Sequence, residues 1–119
     1  MDWIEIGSPQ AGEIRELTGV YIGILPVHND SRGSLYELWR QDEIPEGFNP
    51  MMACASWTHP GVARGPHEHV EQDDYFIFVG PSEFQIALWD ARQGAAGADR
   101  GWLLRAGESC PIQLHVPRG

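Results

Sequence analysis

Short runs of apolar, β-branched and aromatic residues recur along this chain, several of them alternating with polar residues, between clusters of Gly, Pro, Asn and Asp. Alternation with a period of two marks a strand with one face in a core. The pattern predicts strands over 20–27 (VYIGILPV), 34–39 (SLYELW), 51–57 (MMACASW), 75–79 (YFIFV), 83–90 (EFQIALWD), 101–105 (GWLLR) and 111–116 (PIQLHV). Turn clusters such as HNDSRG, THPG, VGPSE and RQGAAGAD separate them. Helical periodicity is nearly absent: EIRELTGV and RQDEIP are candidates for a turn or two of helix near the N-terminus, the second ended by Pro45. Many short strands with glycine-rich turns predict an all-β protein, an antiparallel sandwich or barrel.

Length and composition narrow this picture. A chain of 119 residues with 42% apolar positions suits one domain with its own core, expected over 1–119. Trp39, Trp57, Trp89, Phe76 and Phe78 are expected in that core, and Cys54 and Cys110 as reduced, buried thiols. No apolar stretch approaches the roughly 20 residues that span a bilayer. The expectation is a soluble, cytoplasmic protein. The chain stops at HVPRG, straight after a strand pattern and on a turn signal. A barrel ending there is expected to lack its C-terminal part or to borrow strands.

Charge excludes several chemistries. The net charge is −9, from 17 acids against 8 bases, and every base is an arginine. Without lysine there is no Schiff base, P-loop lysine or lysine general base. Neither is there a polybasic patch for nucleic acid or a membrane surface. An anionic ligand would be held by a few local arginines.

The chemistry-bearing stretch is GVARGPHEHVEQDDYFIFVG, residues 61–80. On an extended segment His67 and His69 share a face, because side chains alternate. With Asp73 they make a facial set suited to one divalent transition metal. Equally, one histidine is suited to act as a free base for proton abstraction, since its ordinary pKa of about 6.5 lies near neutrality. Each has a structural alternative, as a polar residue at a strand end. Arg32 and Arg64 could instead hold turns through salt bridges, and Asp90 with Arg92 reads also as a strand-end ion pair.

The spacing from Gly61 through His67, His69 and Asp73 to Gly80 resembles the first cupin motif, and GESCPIQLHVPRG resembles the opening of the second. A more specific likeness runs through three blocks: Asp30, Arg32, Gly33 and Glu37 in DSRGSLYELW; Gly61, Val62, Arg64, Gly65 and His67 in HPGVARGPHEH; Asp90 and Arg92 in ALWDAR. Together they resemble the dTDP-4-dehydrorhamnose 3,5-epimerase family, whose fold is a cupin, or double-stranded β-helix, jelly roll. The resemblance implies an isomerase that works without a cofactor on a dTDP-linked 4-keto-6-deoxy sugar in polysaccharide biosynthesis. It implies His67 as the base alpha to the ketone, Arg64, Arg32, Glu37, His69 and Asp90 as substrate-binding residues, and a homodimer. Where the family often has lysine this chain has Asp74, and where glutamine is common it has His69. The family's acidic tyrosine and the aspartate paired with its base lie beyond the second motif, where no residue here matches. Two other readings stand beside it: a metal-dependent cupin using His67, His69 and Asp73, and a non-catalytic cupin that binds a nucleotide sugar or a small acid.

Overall fold

The computed structural model describes all residues, 1–119, and its regular structure is entirely β. Nine strands form: β1 (Asp2–Gly7), β2 (Gly12–Glu13), β3 (Tyr21–Ile24), β4 (Val27–Asp30), β5 (Gly33–Tyr36), β6 (Asp74–Phe78), β7 (Glu83–Trp89), β8 (Arg100–Gly107) and β9 (Ile112–Val116). They make three sheets, ordered β1-β8-β7, β2-β3-β9-β6 and β4-β5. Every pairing is antiparallel except β1 on β8, which is parallel.

The two larger sheets face each other across one core. Trp102, Leu104 and Ala106 of β8 meet Ile22, Ile112 and Leu114 of β3 and β9, with Ile14, Leu17 and Val20 closing one end. Alternation on β7 points Phe84, Ile86 and Leu88 inward and leaves Gln85 and Trp89 more exposed. Phe78 and Phe84 touch across the gap with ring centroids 5.3 Å apart. Each fully buried aliphatic side chain here contributes about 1.5–3 kcal/mol by leaving water.

Several expectations are corrected. The N-terminal helical turns are absent: 13–20 is a pair of tight turns, in which Leu17 N–H donates to Ile14 O and Val20 N–H to Leu17 O. Those turns send Ile14, Leu17 and Val20 into the core, so burial and not helical periodicity explains the apolar spacing. The segment 51–57 forms no strand. Its residues are exposed and no sheet edge pairs with them. Trp57 accordingly stands 76% exposed and Trp39 47%, so the buried tryptophan is Trp102. Cys54 is exposed and Cys110 half-buried. Strand β1, too rich in charge to stand out as an apolar run, is held by Trp3, whose indole lies directly on Gly101 and edge-on to Trp89 at 6.0 Å. No helix is long and apolar enough to cross a membrane.

Candidate functional site

The sheet containing β6 and β9 has two chemically different faces. Phe76 and Phe78 lie opposite Leu114 and Ile112 and point into the core, whereas Tyr75 lies opposite His115 on the outer face. Residues 73 and 74 stand where β6 begins, and alternation splits them. Asp74 shares the core-side face with Phe76; Asp73 belongs to the face of His115.

On the core side, Asp74 gathers two neighbours from the loop before it. Its Oδ1 accepts a hydrogen bond from Gln72 Nε2 at 3.1 Å, and its Oδ2 stands 3.2 Å from His69 Nε2. The His69 side chain is 40% exposed and that of Asp74 22%, so the pair sits at a rim, open to solvent on one side. The loop is tied down where the Gly119 N–H donates to His69 O at 2.8 Å. His67, two residues earlier, is exposed. Its ring folds back over Gly65, where a Cβ would sit 3.2 Å from His67 Cδ2 and where φ is +113°. Glycine at this position therefore leaves room for the ring and permits the backbone turn.

Arg64 belongs to the same loop. Its Nε donates to Thr58 Oγ1 at 2.7 Å and its Nη2 to Trp57 O at 3.1 Å. Both partners are uncharged, so the guanidinium is held in place with its charge unneutralised. Arg15 and Arg105 likewise meet no carboxylate, whereas Arg32, Arg40, Arg92, Arg100 and Arg118 each do.

On the outer face a second cluster forms. Asp73 Oδ1 accepts from the backbone N–H of Arg118 at 3.1 Å and from its Nε at 3.0 Å, and Oδ2 lies 3.3 Å from His115 Nε2. The other ring nitrogen of His115, Nδ1, lies 3.1 Å from Gly19 O, so both ring nitrogens face oxygens that can only accept. Partial burial alone would raise the Asp73 pKa, but the hydrogen bonds from Arg118 and His115 outweigh it and hold the carboxyl below its usual range. Phe48 covers the cluster, stacked on Tyr75 at 5.5 Å and edge-on to His115 at 5.6 Å. The burial of Tyr75, helped by the charge of Glu43, raises its phenol pKa.

The remaining residues singled out in the sequence stand elsewhere. Arg32 forms a local fork with Asp30, Nη2 to Oδ2 at 2.5 Å, in the β4–β5 turn, and its side chain is exposed. Glu37 Oε2 meets His28 Nε2 at 2.7 Å, with Arg40 Nη1 3.8 Å from its other oxygen. Asp90 is buried at the end of β7. Its oxygens accept from Arg92 Nη2 at 2.6 Å and Nε at 2.9 Å, and Arg92 Nη2 also donates to Thr18 O at 2.9 Å. The hydrogen bonds from Arg92 lower the Asp90 pKa against the opposing effect of burial.

The structure thus brings Arg64, His67 and His69 into one loop but does not gather His67, His69 and Asp73. No three His, Cys, Asp or Glu side chains are grouped to hold a metal ion. The carboxylate that reaches His69 is Asp74, and Asp73 is engaged on the other side of the sheet. Two surface hollows lie along residues 39–50, one lined by Arg40 and Asp42, the other by Trp39, Ile44 and Phe48, and neither includes the histidines. Nothing local in the sequence pairs His115 and Arg118 with Asp73 or Asp74 with His69. Alternation at the start of β6 was the available signal.

Comparison with known proteins adds two relatives. The chain is 34% identical over 106 residues to the spore coat polysaccharide biosynthesis protein SpsL of Bacillus subtilis, a match covering 87% of this chain and 67% of that protein. A match that long can omit only the ends of the chain, so the segment from Arg32 to Asp90 lies within it. The chain belongs to the family of SpsL. It is also 36% identical over 70 residues, 58% of its length, to the probable low-salt glycan biosynthesis epimerase Agl13 of Haloferax volcanii. That match spans 44% of Agl13, less than half of its length. The first of these relatives is named for polysaccharide biosynthesis and the second as a glycan biosynthesis epimerase. No family model matches the sequence, and no solved structure matches it.

Proposed function

We propose that this chain is a sugar-nucleotide epimerase-like jelly roll that abstracts a proton alpha to the ketone of a dTDP-linked 4-keto-6-deoxy sugar. The observation that carries the reading is the loop 57–69. It presents an arginine whose charge meets no carboxylate, an exposed histidine, His67, and a half-buried one, His69, in a protein whose net charge is −9. An anionic diphosphate entering that field needs a local cation, and the free guanidinium of Arg64 can form paired, charge-assisted bonds to it. Both matched proteins are named for polysaccharide or glycan biosynthesis, and one as an epimerase.

The chemistry follows from the residues. Breaking the C–H bond next to a ketone sends its electron pair to the carbonyl oxygen as an enolate and its proton to a base. Histidine is suited to that step near neutral pH, and His67, solvent-facing in the same loop as Arg64, is the proposed base. Arg32 and Glu37 contact the nucleotide, donated across a homodimer. Asp90, fully occupied by Arg92, acts on the substrate side through that arginine. The reaction as written uses no metal ion.

Deuterium wash-in from heavy water into a dTDP-4-keto-6-deoxy sugar, read by NMR with and without chelator, tests the reading. Exchange beside the ketone is expected in both conditions. Substituting His67→Ala is expected to remove it while leaving sugar-nucleotide binding in place. Chelator-sensitive exchange would favour the metal-dependent cupin, and binding without exchange would favour a sensor or carrier.

A further inference from the structure

We propose that the hollow lined by Trp39, Gln41, Ile44, Glu46, Phe48 and Asn49 is a binding site for one uncharged sugar ring, a neutral pyranose. This site is independent of the epimerase reading, since none of Arg64, His67 and His69 lines it. Its volume is about 380 Å³, within the roughly 300–1,000 Å³ of small-molecule sites.

Two consecutive turns build the hollow. The N–H groups of Glu43 and Ile44 both donate to Arg40 O at 3.0 Å, and Phe48 N–H donates to Pro45 O at 3.0 Å. Gly47, third in the second turn, has φ +80°, a conformation that a side chain there would resist. The turns are fastened to the sheet beneath. Phe48 stacks on Tyr75 at 5.5 Å and meets His115 edge-on at 5.6 Å, and Leu38 O accepts from Gln113 Nε2 of β9. Ile44 and Phe48 are half-buried, whereas Trp39, Gln41, Glu46 and Asn49 are exposed around them. An apolar floor with a polar rim fits a molecule with an apolar face and polar groups at its edge.

Charge selects among such molecules. Residues 37–46 carry the acids Glu37, Asp42, Glu43 and Glu46 against a single base, Arg40. That base already meets Asp42 at 2.9 Å, with Glu37 at 3.8 Å and Glu43 at 3.9 Å. No cation is left for a phosphate or a uronate, so an anion is disfavoured here. A cation brings donors alone and would leave the amide N–H groups of Gln41 and Asn49 unmatched; Asn49 Nδ2 has only Met51 Sδ, at 3.6 Å. A sugar hydroxyl both donates and accepts. It therefore matches the two amides, which do both, and the carboxylate of Glu46, which accepts. The C–H face of the ring then rests on the indole of Trp39, which is 47% exposed. A tryptophan expected in the core thereby gains a task at the surface.

Proton–nitrogen correlation spectra of the tryptophan indoles read this site in the full chain. Methyl β-glucopyranoside is the probe, and the Trp39 signal is the one missing from Trp39→Phe. It should shift saturably with a Kd of about 1–10 mM, as a ligand of so few atoms allows. Saturation-transfer signals of the sugar follow binding in the variants, whose folding is checked by circular dichroism. Trp39→Ala should weaken binding about tenfold or more. Trp89→Ala, at an exposed indole outside the hollow, should leave it unchanged. Glucuronate should bind about fivefold more weakly than the glucoside, as two like charges roughly 4 Å apart in water require, and Glu46→Gln should at least halve that ratio. A general loosening of the turns would not move the ratio. A Trp39 signal unmoved by about 100 mM glucoside, ten times the weakest Kd expected, would overturn the proposal. So would equal binding of glucoside and glucuronate, or undiminished binding in Trp39→Ala. Tighter binding of glucosamine than of the glucoside would give the hollow to a cation, and a Trp39 signal that shifts with protein concentration alone would give it to a second copy; either result overturns the neutral-sugar assignment.

Discussion

Asp73 and Asp74 are covalent neighbours whose carboxylates serve opposite faces of one sheet. Asp73 reaches His115 and Arg118 on the outer face, and Asp74 reaches Gln72 and His69 on the core side. Nothing distinguishes the two residues chemically. Their separation comes from the pleat of β6, which turns successive side chains to opposite sides. One aspartate consequently ties the C-terminal residues to the outer face, and the other meets the loop that carries His69.

Substituting Asp73→Ala separates these roles. It removes the acceptor for two hydrogen bonds from Arg118 and leaves His115 Nε2 without its carboxylate. The expected loss is about 1–2 kcal/mol of stability, measured by urea unfolding. Exchange beside the ketone should continue, because no contact links Asp73 to His67 or His69. Loss of exchange in a variant that remains folded would return Asp73 to the site and revive the three-ligand metal reading.

The Asp90–Arg92 pair should make stability fall in acid. The folded-state pKa of Asp90 is lowered by Arg92, so the pair's contribution is fully present above the ordinary carboxylate range near 4. It is lost as pH falls from there through the depressed folded value. Asp90→Ala leaves Arg92 joined only to Thr18 O and should cost about 2 kcal/mol. That is less than for a fully buried pair, since the Arg92 side chain is 34% exposed. The variant should also show a shallower decline between pH 4 and about 2 than the parent protein, an outcome that thermal unfolding at a series of pH values would check.

Much of the fold could be read from the sequence because alternation is a local signal. The runs at 75–79, 83–90, 101–105 and 111–116 became β6 to β9 with boundaries shifted by a few residues. What misled was apolar character without a partner. MMACASW has the composition of a strand, yet pairing needs a neighbouring edge, and composition does not supply one. Strand β1 shows the converse. DWIEIG carries two acids among its apolar residues and gains its place from a long-range fit, the Trp3 indole over Gly101. At the site, the cluster of Arg64, His67 and His69 was legible because it is contiguous in sequence. Which aspartate meets His69 depended on the phase of a strand whose first residue the sequence did not fix, and the His115–Asp73 contact spans 42 positions.

The Trp3–Gly101 fit makes its own prediction. A methyl group at residue 101 would overlap the six-membered ring of Trp3, whose atoms occupy the space a Cβ needs. Gly101→Ala should therefore displace the indole from β8 and lower stability by about 1–3 kcal/mol. Because the displaced ring also leaves its edge-on contact with Trp89, near-ultraviolet circular dichroism should weaken. In a Trp3→Ala background the same substitution should cost little, since the overlap is gone; a full cost there would place the strain elsewhere.

Trp102 and Trp57 should respond oppositely to truncation although both come from segments that read as strands. Trp102 is 5% exposed within the central cluster with Leu104 and Ile112, whereas Trp57 is 76% exposed in the segment that lacks a pairing partner. Removing a buried indole leaves a cavity that close-packed neighbours fill only in part, so Trp102→Ala should lose about 3–5 kcal/mol. That is a large share of the roughly 5–15 kcal/mol that holds a domain folded. Trp57→Ala should change stability by about 0.5 kcal/mol or less, as exposed positions ordinarily do. The Trp57 carbonyl that accepts from Arg64 belongs to the backbone and survives the substitution. Arg64 should then stay anchored and sugar-nucleotide affinity be preserved, which titration calorimetry would measure. A stability loss of several kcal/mol in Trp57→Ala would mean that its indole is covered in solution, by a second copy of the chain or another partner.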